Sequence, residues 1–382
     1  MAVHTLHQSG FERVEDDASA SKVLAPIYYT DPRAFEIEKR EVFRKSWLFA
    51  GHESQIAMPG DHLPVRVGGQ PLVLLRDRDG CVRAFFNVCA HRGMTVVHRP
   101  GCSKTLKCPY HGWVYDLTGR LVAARNTAQM ESFETAPYAL KEVRVELHQG
   151  LVFVNLDADA RDLAQTIGPI FDDIADLGLD PAKFRLGKVV DYPLNTNWKI
   201  AIDNFVECYH CPVAHPGIEQ FFEYEKTFAK VVDWGVIAGG PPDAETLAHY
   251  GRECEAHGWP LVAETRYSWA WPNIMYLIGW SPRPHLMLWT IEPETHDRMV
   301  FRHNYFFYDE APDTEQLAFI QAIDKVQRED NPILEGVWEG MNSLGFEGQG
   351  TYVINDADTY QTERGVWQFH WQLQQIYDRA GM

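Results

Sequence analysis

The chain has 382 residues, 53 of them acidic against 35 Lys and Arg, so its formal charge is −18, and 45% of it is hydrophobic. That is globular composition, and the acidic excess argues against nucleic acid or an anionic membrane surface as partner, since both are held by clustered Lys and Arg. No apolar run approaches the ~20 residues of a membrane span. The first residues (MAVHTLHQSGFERVEDD) lack the apolar core of a secretion signal, and seven Cys are too few for a disulfide scaffold. A reducing cytoplasm is expected, with the cysteines as ligands or free thiols.

Residues 1–30 read as irregular. Asp31-Pro32 opens a helix, Asp as N-cap and Pro in the first turn, that buries Phe35, Val42, Phe43 and Trp47. From about Gly51 to Leu156 the texture changes to short β-rich runs, Pro64–Val67, Leu72–Arg76, Val82–Phe86, Val143–Leu147 and Leu151–Asn155, with Asp79-Gly80 as a hairpin turn. Helical patterning resumes at Asp159, and a second helix is expected from Asn197 to His215. Residues 230–310 mix strand-like runs with loops and hold an aromatic-dense stretch, Tyr267–Trp280. A late helix begins near Asp313, with Leu317, Ile320, Ile323 and Val326 at helical spacing. The expected fold class is α+β: a helical segment over 1–44, an all-β domain over 45–157 and a larger α+β catalytic domain over 158–382.

Two ligand pairs stand out in the β-rich region, Cys89-Ala90-His91-Arg92-Gly93 and Cys108-Pro109-Tyr110-His111-Gly112-Trp113. Each brings one thiolate and one imidazole, ends a strand-like run and is followed by Gly, as a tight loop requires. Two such loops can hold a [2Fe–2S] cluster, both sulfurs on one iron and both imidazoles on the other. Structural zinc prefers Cys-x₂₋₄-Cys and His-x₃₋₅-His spacing and fits less well. Cys81 and Cys102 have no partner at such spacing and read as ordinary buried thiols. The two motifs together resemble the Rieske proteins.

A second constellation lies in NWKIAIDNFVECYHCPVAHP. His210 and His215 are about one and a half helical turns apart, and a distorted turn near Pro212 and Pro216 can aim both at one metal. With a carboxylate they would form the two-His, one-carboxylate triad of non-haem Fe(II) oxygenases. The best candidate is Asp330 in QREDNPILEGVWEG; Asp324, Glu329 and Asp356 are weaker ones. From about Phe35 to its end the chain then resembles the oxygenase (α) subunit of Rieske non-haem iron oxygenases. The residues that carry the resemblance are Asn197-Trp198-Lys199, an acid three before the first His (Glu207), His210, His215 and Glu329-Asp330.

That resemblance implies cofactors and partners: a [2Fe–2S] cluster on Cys89, His91, Cys108 and His111, a mononuclear Fe(II) on His210, His215 and Asp330, and a head-to-tail homotrimer. Most relatives carry Asp where Glu207 stands, and there the residue bridges an iron His to a cluster His of the next subunit. Asp203, one turn earlier, is the rival bridge. Trp338 occupies a position that is Gln in many relatives. Cys208 and Cys211 flank His210 and read as small buried hydrophobes rather than a redox pair.

No Gly-x-Gly-x-x-Gly follows a strand, and Gly68-Gly69 in a hairpin region does not qualify, so NAD(P)H must be oxidised by a separate flavin and Fe–S reductase. The implied reaction hydroxylates a small molecule with O₂. Glu207 within Glu-Cys-Tyr-His-Cys and Ala214-His215-Pro216 is similar to the branch acting on quaternary ammonium compounds, the glycine betaine, carnitine and proline betaine oxygenases. Trp269, Trp271, Tyr276, Trp280 and Trp289 offer faces for a cation cage. The alternatives are an aromatic-acid hydroxylase or aryl methyl ether O-demethylase of the same family, and, from another class, a Rieske electron carrier without catalysis or a zinc-stabilised binding module.

Overall fold

A computed structural model describes residues 13–216, 223–346, 348, 350–355 and 359–382. The strands are β1 (Leu48–His52), β2 (Asp61–Val67), β3 (Gln70–Arg76), β4 (Val82–Phe86), β5 (Gly101–Cys102), β6 (Leu106–Lys107), β7 (Val114–Tyr115), β8 (Leu121–Ala123), β9 (Glu142–His148) and β10 (Leu151–Asn155). They are followed by β11 (Arg185–Leu194), β12 (Phe228–Val232), β13 (Gly235–Gly240), β14 (Thr265–Ala270), β15 (Ile274–Ile278), β16 (His285–Thr295) and β17 (Arg298–Phe307). The helices are α1 (Ile27–Thr30), α2 (Pro32–Glu38), α3 (Asp173–Asp176), α4 (Trp198–Phe205), α5 (Cys211–Ala214), α6 (Ala244–His257), α7 (Thr314–Met341) and α8 (Arg364–Ala380).

Among the described residues the first sheet has the order β1-β10-β9-β4-β3-β2-β5, and a small sheet, β6-β7-β8, stands beside it. β3 explains how they pack. Leu72 and Leu74 point into the large core, while Val73 and Leu75 point into a second, smaller core built around Cys89, Cys108, Trp113 and Tyr115. A strand buried on both faces needs an unbroken apolar run, and Leu72–Leu75 supplies it. The second large sheet, β11-β17-β16-β15-β14-β13-β12, forms the floor of the larger domain; α4 and α8 pack against it, and α7 packs on α4 and receives the Tyr192 hydroxyl of β11 at Asp324. The two domains meet where the Glu292 carboxylate on β16 accepts the Gly69 N–H from the β2–β3 turn at 2.8 Å. A cavity of about 370 Å³ beside that contact is lined by Phe49, Arg66, Asn273, Glu292 and Arg302 among others.

The Asn-Trp-Lys segment anchors α4. Asn197 caps it by accepting from Lys199 N at 3.0 Å, while its amide donates to the carbonyls of Tyr29 and His296 at 2.9 and 2.7 Å. Trp198 Nε1 and Lys199 Nζ both donate to the Glu38 carboxylate, at 2.5 and 2.6 Å, and Tyr377 of α8 donates to it as well. Glu38 and Lys199 are both fully buried. Burial lowers the Lys199 pKa, and the facing Glu38 carboxylate opposes that shift. One buried ion pair thus clamps α2, α4 and α8 together behind α4.

Several sequence expectations need correction. The helix expected from Asp159 is broken into turns, Leu163–Gln165 and Gly168–Phe171, before the short α3, because Gly168-Pro169 interrupts it. The helix expected over 197–215 stops at Phe205 and resumes only as α5, since the Glu207 carboxylate turns back to accept the N–H groups of Tyr209 and His210. Leu317 is exposed, whereas Ile320 and Ile323 are buried. Cys81 and Cys102 are exposed, on a turn and an edge strand, not buried. Cys208 and Cys211 are buried but bonded to each other as a disulfide, where independent hydrophobes were expected. Asp356 lies outside the described residues.

Candidate iron–sulfur and mononuclear metal sites

The two Cys-His loops fold alike. Cys89 N donates to Met94 O and Gly93 N returns to Cys89 O; Cys108 N donates to Trp113 O and Gly112 N returns to Cys108 O. Gly93 and Gly112 sit at φ +76° and +75°, the left-handed conformation that closes each loop and that a side chain would strain. Both cysteines are buried, and the Tyr115 hydroxyl lies 3.2 Å from Cys89 Sγ. The imidazoles lie together toward solvent: the His91 and His111 rings are 4.7 Å apart, and His91 stacks on Trp113 at 4.7 Å. Arg92 Nη2 stands 2.7 Å from His111 Nε2, and Tyr110 beside it is 57% exposed. Sulfurs inside and imidazoles outside is the donor set of a Rieske cluster whose histidine edge faces outward.

In the larger domain His210, His215 and Asp330 bring one ligand atom each within 4.8 Å of one another. Asp330 Oδ1 lies 3.7 Å from His210 Nε2 and 3.1 Å from His215 Nε2. Three such donors can hold a metal, and the mixed nitrogen and oxygen set suits Fe(II). Each imidazole is backed by a glutamate on its outer nitrogen: His210 Nδ1 meets Glu207 Oε1 at 2.6 Å, and His215 Nδ1 meets Glu329 Oε2 at 3.0 Å. Burial lowers the His215 pKa, but the carboxylates of Asp330 and Glu329 outweigh it, so the net shift is upward.

Sequence reasoning ranked Glu329 as a weak ligand; the structure places it behind a ligand. It missed Asn204, whose amide nitrogen lies 3.3 Å from His210 Nε2 and 3.5 Å from Asp330 Oδ1. The signal was available, since Asn204 stands only six residues before His210, in the last turn of α4.

The remaining candidates are engaged elsewhere. Asp203, the rival bridge, binds the Tyr29 hydroxyl at 2.8 Å and His370 Nε2 at 2.8 Å, so both its oxygens are taken. Asp324 binds Tyr192 and Arg328. The aromatic supply is mostly core: Trp269 donates to Pro272 O, Trp271 to Ser46 Oγ, and Tyr276 to Ile170 O and Asp173. Trp289 lies against α4, its ring 5.8 Å from Phe205. Beside the metal site Tyr209 and Val213 are 54% and 88% exposed. Among the described residues no helix is long and apolar enough to cross a membrane.

Comparison with known proteins agrees with this layout. Residues 46–134 match the model of the Rieske [2Fe-2S] domain, and residues 181–379 that of the ring hydroxylating alpha subunit, catalytic domain. The chain is 30% identical over 356 residues to the carnitine monooxygenase oxygenase subunit of Escherichia coli strain K12, covering 92% of each. It is 36% identical over 207 residues to the glycine betaine monooxygenase oxygenase subunit of Chromohalobacter salexigens, covering 53% of this chain and 46% of that one. Among solved structures, the quaternary ammonium Rieske monooxygenase CntA in complex with substrate L-carnitine superposes with a TM-score of 0.84 at 26% identity, over 94% of this chain and 97% of that one.

Proposed function

The chain belongs to the ring-hydroxylating oxygenase α subunits of the Rieske non-haem iron class, and on that footing we propose that it oxidises a quaternary ammonium or N-methylated amine. The observation that carries this reading is similarity across nearly the whole chain to carnitine monooxygenase oxygenase subunits, and the contact of Glu207 with His210 supports it. The acidic balance of −18 suits a cationic substrate.

Cys89 and Cys108 would hold one iron of the cluster and His91 and His111 the other; His210, His215 and Asp330 would hold the mononuclear iron. Bound there, the two centres supply the electrons for reductive O₂ activation, so that substrate-H, O₂, NAD(P)H and a proton give substrate-OH, water and NAD(P)⁺. The chain's own work is positional. Glu207 and Glu329 fix the two imidazoles with their inner nitrogens on the metal side. Hydroxylation of an N-methyl carbon gives a hemiaminal that falls apart to formaldehyde and the demethylated amine; hydroxylation next to nitrogen on a longer arm cleaves that C–N bond.

Electrons come from a separate reductase, which we take to carry flavin and its own Fe–S cluster. The exposed His91 and Tyr110 at one tip, and the exposed Tyr209 and Val213 beside Glu207, are surfaces that a second copy would cover. A cytoplasmic head-to-tail homotrimer, with Glu207 joining the iron of one subunit to the cluster of the next, accounts for both. The test is electron paramagnetic resonance of the anaerobically reduced protein with nitric oxide, titrated with carnitine, glycine betaine and proline betaine and then with benzoates. A quaternary amine should shift the iron–nitrosyl signal, and turnover with reductase should release formaldehyde or an aldehyde. A response to benzoates alone would move the assignment to aromatic acids, a reading to which 38% identity over 186 residues with a 2-aminobenzenesulfonate 2,3-dioxygenase α subunit also points.

A further inference from the structure

The two cysteines on either side of His210 are joined. Cys208 and Cys211 form a disulfide across Tyr209 and His210, and both are buried. Each end of the bond is tied to a different part of the site. Cys208 N donates to Tyr360 O at 2.7 Å, and the Tyr360 hydroxyl donates to Phe205 O at the end of α4. Cys211 opens α5, the short helix flanked by His210 and His215, and its carbonyl accepts the His215 N–H at 2.9 Å. Cys211 Sγ lies 3.8 Å from His210 Nε2, the nitrogen that faces Asp330.

The bond therefore links the anchored end of α4 to the segment that presents both imidazoles. Glu207 also holds His210, but it belongs to the same loop, so its contacts shape the loop without fixing it to the rest of the domain. A disulfide that closes so few residues adds less to the stability of a fold than one that closes a long loop. Cys-x-x-Cys is the spacing of thiol–disulfide exchange sites. In the cytoplasmic setting proposed above, disulfides are rare, and those that form serve redox responses.

We propose that Cys208 and Cys211 are a reversible redox latch on the mononuclear metal site. The disulfide holds His210 and His215 at metal-binding spacing; the dithiol lets the loop relax, and the site then binds metal less tightly. Closing the latch takes two protein thiols and hydrogen peroxide to the disulfide and two waters. Opening it takes two small thiols, which leave as their own disulfide and return two protein thiols. A site ordered before its ligand arrives binds more tightly, because the ordering cost is not drawn from the binding free energy. The inference concerns metal retention and does not depend on which amine is oxidised.

The test uses the full chain with its cluster in place and the mononuclear site not yet loaded. One sample is treated with stoichiometric hydrogen peroxide, another with dithiothreitol, and both are desalted. Alkylation and peptide mass mapping should find Cys208 and Cys211 bonded in the first and as two thiols in the second. Anaerobic chelator competition then gives the Fe(II) affinity of each form, with cluster absorbance as control. The oxidised form should bind Fe(II) about tenfold more tightly, the lower end of what a supporting partner contributes to a ligating histidine. Cys208→Ser and Cys211→Ser should each match the reduced wild type and lose the response to peroxide; the comparison within wild type stands if a variant fails to fold. Thiols that peroxide does not pair, or a bond that dithiothreitol leaves intact in the folded protein, overturn the latch. Equal affinities overturn it too, as does tighter binding by the reduced form, which a thiolate ligand would give. Fe(II) binding in neither form overturns the metal assignment of His210 and this inference with it.

Discussion

Removing the Glu329 side chain should cost the protein iron, not its fold and not its cluster. Glu329 Oε2 lies 3.0 Å from His215 Nδ1, while His215 Nε2 lies 3.1 Å from Asp330 Oδ1. The carboxylate therefore holds the proton on Nδ1 and leaves Nε2 free for metal, the arrangement that makes an imidazole a good ligand. In Glu329→Ala the ring loses both its orientation and its preferred tautomer, and losses of about 10–100-fold in metal affinity follow from removing such partners, or ~1.4–2.7 kcal/mol. The Glu329 side chain is 29% exposed, so solvent can partly replace it, and the lower end of that range is expected. Glu329→Gln keeps an acceptor oxygen and should lose less. The assay is anaerobic competition for Fe(II) against a chromophoric chelator. Visible absorbance of the cluster serves as internal control, since Cys89, His91, Cys108 and His111 belong to the other domain. Iron affinity in Glu329→Ala within twofold of wild type would refute the reasoning.

Glu207→Ala should keep the cluster, weaken Fe(II) binding by about 10–100-fold as Glu329→Ala does, and stay without turnover even when Fe(II) is restored; mixed trimers of His111→Ala and His210→Ala chains should regain activity, and none regained would remove the inter-subunit path. Glu292→Gln should change how stability depends on pH. Burial raises the Glu292 pKa from 4.5 to about 7, so the neutral acid is favoured in the folded protein. The native state therefore bears no penalty below pH 4.5, loses stability as pH rises from there through 7, and above 7 the loss levels off at up to ~3 kcal/mol. The variant should match wild type in denaturant titrations at pH 4 and exceed it at pH 8; parallel curves would contradict this. Lys199→Ala strands the buried Glu38 carboxylate and should lower stability by ~3–5 kcal/mol, read as an earlier denaturation midpoint, whereas Glu38→Gln/Lys199→Met together should lose much less.

The iron–sulfur site was legible in the sequence because its chemistry is local. Each ligand pair falls within four residues and is closed by a glycine that the loop geometry demands, so spacing alone carries the information. The strands around it were legible for the same reason: Leu72–Leu75 and Leu151–Val154 are continuous apolar runs. α8 went unread, although it buries Phe369, Leu373 and Tyr377 and closes over the Glu38 pair, because nothing in its own sequence announces a role. α6 was likewise lost in a stretch read as strands and loops. Both are helices whose meaning lies in what they cover.

The metal triad sits between these cases. His210 and His215 were visible as a pair, but the helix drawn through them was wrong, and the error is instructive. A continuous helix would have used the N–H groups of Tyr209 and His210 in backbone bonds. The structure gives them to the Glu207 carboxylate, whose other oxygen holds His210 Nδ1. The same side chain that was read as a bridge toward another subunit is therefore also what ends α4 and aims His210. Asp203, one turn earlier, cannot exchange roles with it, since Tyr29 and His370 already occupy both of its oxygens and tie α4 to α1 and α8. In sequence Asp203, four residues before Glu207, stood as its rival. Packing separates them: Asp203 faces the helix bundle and fixes α4 in place, while Glu207 faces His210 and fixes the imidazole.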